Sequence, residues 1–451
     1  MKLSHLAKVV FDDPNLVPDA GLVLAMALAQ RAGLDQAMTG LTVDCPNAAL
    51  KASCLVAGML AGADSIDDMD LLRSGGLPDL FDGVRAPSTL GTFLRSFTAG
   101  HALQLDKAGH DVLERLAAVV PGLVADTAGV WFLDLDDSVV EVHGYHKQAA
   151  GRGHSGVNGL NLLNALFSSP GTAPPAAGRE PREGKTASGS GSGQMAARAG
   201  RVAARLAGGG QGIGRADSAF HRFDCVQALR RQGLWFSITA RQNKAVVKAI
   251  APIPDTAWTP VHRPNAFVDR DTGRLVSDAE VAETDFTAFS SRRKADHVPR
   301  RLVVRRVKRL GDAPPGQDPL FDAHRFHALI TDSTLTAVAA DAVHRDHAIV
   351  EQAFAEFKGQ ALAHPPSGSY AANAAWAHLA AITFNLARAL AAAAGRPRWR
   401  WATVTRNLIG LPGRIARSAR RTTIHLPLDW PWQDDWTTCW HTAAPPGRTC
   451  R

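Results

Sequence analysis

Three aspartates, Asp134, Asp136 and Asp137, interrupt the stretch WFLDLDDSVVEVHG (131–144), whose apolar residues otherwise alternate as in a buried β-strand. Strand side chains alternate between faces, so Phe132, Asp134 and Asp136 share one face and Trp131, Leu133 and Leu135 the other. Buried unpaired carboxylates are costly, and like charges at adjacent same-face positions repel. Something cationic must offset them, either a metal ion or an Arg/Lys cluster. A second constellation lies in HRDHAIVEQAFAEFKGQ (344–360). On a helix, His344, His347, Glu351, Phe354 and Lys358 recur every three or four residues and form one mostly polar face. A solvated, salt-bridged surface would have the same spacing. A third candidate, Asp217 in GRADSAFHRFDCVQALRRQG (214–233), stands where a strand should end, ahead of a helix starting near Phe223. A helix cap is the plain alternative to a ligand there.

Those residues need elements to position them. Residues 15–120 read as helices, and RAPSTLGTFLRSF (85–97) has Ser88 or Thr89 as N-cap before Leu90, Phe93, Leu94 and Phe97. That segment is either the second helix of a helix-turn-helix or an ordinary amphipathic helix. From Val130 the pattern becomes a β-meander: VWFLDLD, SVVEVHG, then GVNGLNLLNALFSS. Residues 168–214 form a compositional break with a single helix at Met195–Leu206. A second strand-like series occupies 234–331 (LWFSITA, AVVKAIA, RLVVRRVKRL, HALIT). Ala-rich helices from Leu335 to Ala394, a basic helix at Arg414–Arg421 and a Trp-rich tail follow. Ahead of Asp217, GGGQGIG offers a strand only Ile213, and glycine weakens strands. Asp217 is therefore expected to be poorly held, the protein weak or inactive as an enzyme, and apolar β-formers at Gly210 and Gly212 stabilising.

The chain has 451 residues, enough for two or three domains, and a net charge of +8 carried mostly by arginine. Nucleic acid is the partner this charge favours. Roughly the first hundred positions are rich in aspartate, whereas 291–309 and 396–421 are strongly basic. Five cysteines, Cys45, Cys54, Cys225, Cys439 and Cys450, form no CxxC pair, which argues against a zinc site or disulfide framework and fits a reducing cytoplasm. The longest apolar helix candidate, Ala374 to Gly395, is interrupted by His378, Asn385 and Arg388, so it reads as a core helix and no membrane partner is expected. EGKTAS (183–188) lacks the glycine spacing and leading strand of a phosphate loop. HRD (344–346) lacks every other part of a kinase site.

The phrases DLDDSVVEVHGYHKQAAG, GRADSAF and RDHAIVEQAFAEFK, in that order, resemble the bacterial insertion-sequence DDE transposases, and in combination the insertion-sequence group thirteen-eighty. The third motif of that family reads Y-x2-R-x3-E-x6-K. Glu351 and Lys358 have its spacing, with His344 at the tyrosine position and His347 at the arginine position. The resemblance covers most of 130–240 and 340–430. It implies an α/β chain with a ribonuclease H-like catalytic core, a β-rich insertion and an N-terminal helical domain. The boundaries expected are 1–125 (helical, a DNA-end-binding candidate), 126–236 (first part of the core), 237–330 (insertion), 331–395 (catalytic helix and rest of the core) and 396–451 (basic helix and tail).

The resemblance also makes Asp136, Asp217 and Glu351 the metal-binding catalytic triad, with Asp134 an accessory ligand. Two Mg²⁺ ions, or Mn²⁺ in their place, would clamp the scissile phosphate. Lys358, His347 and His344 become DNA contacts. Arg300, Arg301, Arg305, Arg306, Arg414 and Arg417, with Arg420 and Arg421, would add sequence-independent phosphate contacts. The implied activity is metal-dependent cleavage and strand transfer of the element's own ends. Its partners are the double-stranded terminal inverted repeats and target DNA, engaged by a homodimer. The alternatives are a stand-alone metal-dependent nuclease and a DNA-binding relic with a decayed site.

Overall fold

The structure, a computed structural model, describes residues 8–144, 146–261, 279–308, 324–418 and 421–444, and its contacts divide into two compact units. One comprises Val124–Val140 and Ala149–Ala355, the other Met1–Leu123, Glu141–Gln148 and Glu356–Arg451.

The first unit is built on β1 (Val130–Glu141), β2 (Asn158–Ser168), β3 (Ala176–Arg182), β4 (Gln211–Ala216) and β5 (Trp235–Thr239), in the spatial order β3-β2-β1-β4-β5. β1, β4 and β5 are parallel. β2 runs against β1, since Asn161 meets Asp137 while Ser168 meets Asp134, and β3 runs against β2. This mixed sheet is the arrangement expected for a ribonuclease H-like core. β2, NGLNLLNALFS, is buried on both faces after its first residue, as its nearly unbroken apolar run requires. Helix α1 (Ser192–Ala207) follows β3 and α2 (Phe223–Arg231) follows β4. α1 turns Gly193, Ala196, Ala199, Gly200 and Ala203 inward, which lets it approach α2 closely, and it ends at Gly208 with φ +63°.

Segment 168–214 therefore holds two core strands and a helix. The expectation of a poorly held Asp217 is corrected by β4, which is buried from Gly212 to Ala216 and paired on both sides. Its glycines answer to close packing. A Cβ on Gly212 would lie 2.5 Å from the Trp131 indole, which stacks on Phe167 and donates to the Gly209 carbonyl. A Cβ on Gly214 would collide with Leu229, and Gly210 has φ +68° beside the Thr127 carbonyl. With β4 sound, the inference of a weak enzyme loses its basis, and β-formers at 210 and 212 would clash.

Beyond β5 the chain forms α3 (Lys244–Ile250), then β6 (Ala279–Ala288), β7 (Val298–Lys308) and β8 (His324–Thr331). These strands continue the same sheet in the order β5-β8-β7-β6, all antiparallel. AVVKAIA is thus a helix: Asn243 caps it through the Ala245 and Val246 amides, and Val246 and Ile250 are buried one turn apart. VWFLDLD and SVVEVHG are one continuous strand. α4 (Ala337–Arg345) and α5 (Ile349–Lys358) are separated by a 3₁₀ turn, Asp346–Ala348.

In the other unit the helix Tyr370–Ala393 is buried on nearly every side against the helices Ala48–Leu60 and Ala99–Val119. Its alanines permit that approach. No helix among the described residues is long and apolar enough to cross a membrane. The segment starting at Pro87 is a helix with Leu90, Gly91, Phe93 and Leu94 buried. The basic helix expected at Arg414–Arg421 is instead a hairpin, Gly413–Ser418 with Arg421–His425, in which Ile415 pairs with Ile424. Thr422, Thr423 and Ile424 favour strand. Arg420, Arg309 and Cys450 lie outside the described residues.

Candidate active site

β1 and β4 are neighbours, and Leu135 pairs with Ala216. Asp136 follows Leu135 on β1 and Asp217 directly follows the end of β4, so the parallel register brings the two positions alongside each other at the C-terminal end of β4. That is where the open edge of an α/β sheet holds its ligands. Asp136 is half-buried and accepts the Asp137 amide at 2.8 Å. Burial pushes its carboxyl up to about 6, and the Asp217 and Asp137 carboxylates push in the same direction while His347 opposes them. Asp217 is exposed and uses one oxygen to cap the turn Ser218–Phe220 through the Ala219 amide, 2.8 Å away. It is a cap, and its second oxygen is available. Glu351 is exposed on the first turn of α5.

The donor set fits Mg²⁺ or Mn²⁺: carboxylate oxygens are hard ligands, and a buried aspartate beside a second one is relieved by a cation. Among the described residues no three His, Cys, Asp or Glu side chains already stand close enough to cage an ion. Asp136 and Asp217 would hold it and Glu351 would complete the set from the helix.

Asp134 has a different environment from Asp136, though both share a face of β1. It is fully buried, and Arg215, itself 1% exposed, grips it with Nε at 2.6 Å and Nη2 at 2.8 Å. Ser168 Oγ donates at 2.6 Å and His347 Nδ1 lies 2.9 Å away. Burial alone would raise this carboxyl, but the Arg215 charge and the His347 and Arg215 hydrogen bonds outweigh it and hold it well below the usual carboxylate range. With both oxygens engaged, Asp134 has no lone pair left for an accessory metal role. Arg215 also stacks on Phe132, 3.8 Å from the ring centroid, and donates to the Val343 carbonyl in the last turn of α4. Asp137 points to the opposite face, against Arg182 at 3.1 Å and Asn161. Arginines thus offset Asp134 and Asp137, whereas Asp136 has no arginine partner among the described residues.

His344 is enclosed between Ser237 Oγ and Thr239 Oγ1, each at 2.9 Å, and burial pushes its imidazole down to about 3, so it is neutral. Neither it nor His347 presents a cation at the surface. Lys358 is exposed at the end of α5.

The arginines of the basic strand β7 meet carboxylates of their own unit. Arg300 lies 3.8 Å from Asp332, Arg301 2.6 Å from Glu283, and Arg305 3.6 Å from Asp341. Arg306 reaches Glu280 at 2.6 Å and Asp255 at 2.9 Å and stacks on Trp258. Arg414 and Arg417 pair with Asp13 and Asp79 but stay 62% and 55% exposed, and such surface pairs are worth little. Sequence reasoning missed Arg215. Its signal was present: in GRAD it stands two residues before Asp217, on the face where β1 demanded a cation.

A family model described as "Transposase DDE domain group 1" matches residues 4–444. The chain is also similar to a cryo-EM structure of a piggyBac transposase synaptic complex with hairpin DNA. The match has 12% identity, covers 88% of this chain and 79% of that one, and has a TM-score of 0.38. No curated protein matches the chain.

Proposed function

The chain belongs to the DDE transposase family, group 1, and from that premise we propose that it cuts and joins the ends of its own mobile element at Asp136, Asp217 and Glu351. The register that sets Asp136 beside Asp217 is the observation that supports this reading most strongly. A divalent cation held there, Mg²⁺ in the cell, would activate the attacking oxygen and stabilise the leaving oxygen of the scissile phosphate.

The chain's own part is to orient. β1 and β4 are central strands, so they fix the Asp136 and Asp217 backbones, and the Ala219 amide fixes one oxygen of Asp217. Burial keeps water from screening Asp136, which strengthens its interaction with any cation. The substrate is double-stranded DNA: the terminal inverted repeats, then a target, engaged by a homodimer. Lys358, Arg414 and Arg417 are exposed and suit phosphate contact. The phrases quoted above favour the insertion-sequence group thirteen-eighty within the family.

Asp136→Asn, Asp217→Asn and Glu351→Gln should each abolish Mg²⁺-dependent nicking of a terminal-repeat duplex while leaving its binding nearly unchanged in a mobility-shift assay. Efficient nicking by Asp217→Asn would overturn the assignment.

A further inference from the structure

Each proposed metal ligand has a partner one structural repeat behind it. Asp134 precedes Asp136 by two residues on β1, and Arg215 precedes Asp217 by two on β4, which places each pair on one face. His347 precedes Glu351 by four, about one helical turn. These three rearward residues bond to one another: Asp134 bridges Arg215 and His347. We infer that Asp134, Arg215 and His347 form a buried strut that sets the register of Glu351 against Asp136 and Asp217, so that His347 is a positioning residue for the metal site. The inference rests on the triad reading proposed above.

Helix geometry explains why a strut is needed. α4 and α5 are not continuous, and the 3₁₀ turn at Asp346–Ala348 between them could swing the first turn of α5, where Glu351 sits. Two contacts secure that break to the strands. Arg215 takes the Val343 carbonyl, one of the carbonyls that the end of α4 leaves without an intrahelical donor, and Asp134 holds His347 within the turn itself. Arg215 thereby ties β4 to β1 and both to the helix break. Its charge partner is fully buried, so the strut resists screening by solvent. His347 Nε2 is buried and has no hydrogen-bond partner among the described residues, so the imidazole is fixed through Nδ1 alone. Removing that one bond frees the turn at His347, on the Glu351 side of the break, while Arg215 still holds the Val343 carbonyl and Asp134 keeps Arg215 and Ser168.

His347→Phe keeps the ring volume and deletes the bond; His347→Asn keeps a side-chain donor. Metal binding can be read without catalysis by titrating Mn²⁺ and following free ion by electron paramagnetic resonance. Outer-shell partners of metal ligands are typically worth about 10–100-fold in affinity. His347→Phe should weaken Mn²⁺ binding at least about tenfold and raise the half-saturating Mn²⁺ for nicking by the same factor, with DNA-end affinity unchanged. His347→Asn should recover part of the loss. Ser168→Ala removes a bond to the same carboxylate without touching the helix, so it should bind Mn²⁺ like the parent even if it melts earlier. Parental Mn²⁺ affinity in folded His347→Phe would overturn the strut, as would an equal loss in Ser168→Ala. Should the Phe variant fail to fold, His347→Thr decides in the same way. Asp136→Asn separates the two levels: if it keeps Mn²⁺ binding, the triad reading fails; if it loses binding while His347→Phe does not, the strut alone fails.

Discussion

Two aspartates one repeat apart on the same strand face meet opposite fates, and the difference lies in their neighbours. Asp134 is matched by a bidentate arginine, a serine and a histidine, whereas among the described residues Asp136 forms no ion pair with an arginine or lysine, and His347 opposes the effect of its burial only in part. This has a consequence for stability. The Asp136 carboxyl is raised from 3.8 to about 6 by burial, so the fold favours its protonated form; that contribution is present below the unfolded value and is lost as pH rises through about 6. Above that pH the metal-free protein carries a strained buried charge. Asp136→Asn should therefore raise the melting temperature of metal-free protein by about 2–4 °C near pH 7.5 and hardly change it near pH 4. Calorimetry at the two pH values checks this, and an equal shift at both would contradict it. The sequence showed that a cation was required on this face. It left metal and arginine open because Arg215 is 81 residues from Asp134 and only sheet pairing brings them together.

At the level of elements, periodicity found what local chemistry controls. β2, β5, β7 and β8 read correctly because their apolar and β-branched runs leave no other solution. The misread elements depended on distant partners. GGGQGIG looks too poor for a central strand until Trp131 is laid across Gly212, after which glycine is the residue that fits. AVVKAIA has the composition of a strand, yet the Asn243 cap makes it a helix. The basic run at 414–421 has helical spacing of its arginines, but strand pairing between Ile415 and Ile424 decides it. Gly212→Val is the clearest test at this scale. A side chain there meets the indole ring, and overpacking of this kind costs roughly 1–3 kcal/mol. Urea unfolding should show that loss; an increase in stability would mean that Trp131 is not held over β4.

For the molecule as a whole, the distribution of charge misleads when read from sequence. The seven arginines and two lysines of 292–309 suggest a DNA-binding strand, but Arg300, Arg301, Arg305 and Arg306 meet carboxylates of their own unit. Motif spacing in the sequence was enough to single out Asp136, Asp217 and Glu351 as candidates. The approach of Asp136 to Asp217 was not legible, since it depends on β1 and β4 becoming parallel neighbours across a strand pair and a helix. The central claim is that Asp136, Asp217 and Glu351, far apart in the chain, hold the same ion. Fe²⁺ can stand in for Mg²⁺, and with ascorbate and peroxide it generates hydroxyl radicals that cut the backbone beside the bound ion. Fragment masses should place the cuts near residues 136, 217 and 351 together, and excess Mg²⁺ or Asp136→Asn should suppress all three. Cuts confined to other segments, or absent around 217, would contradict the shared site.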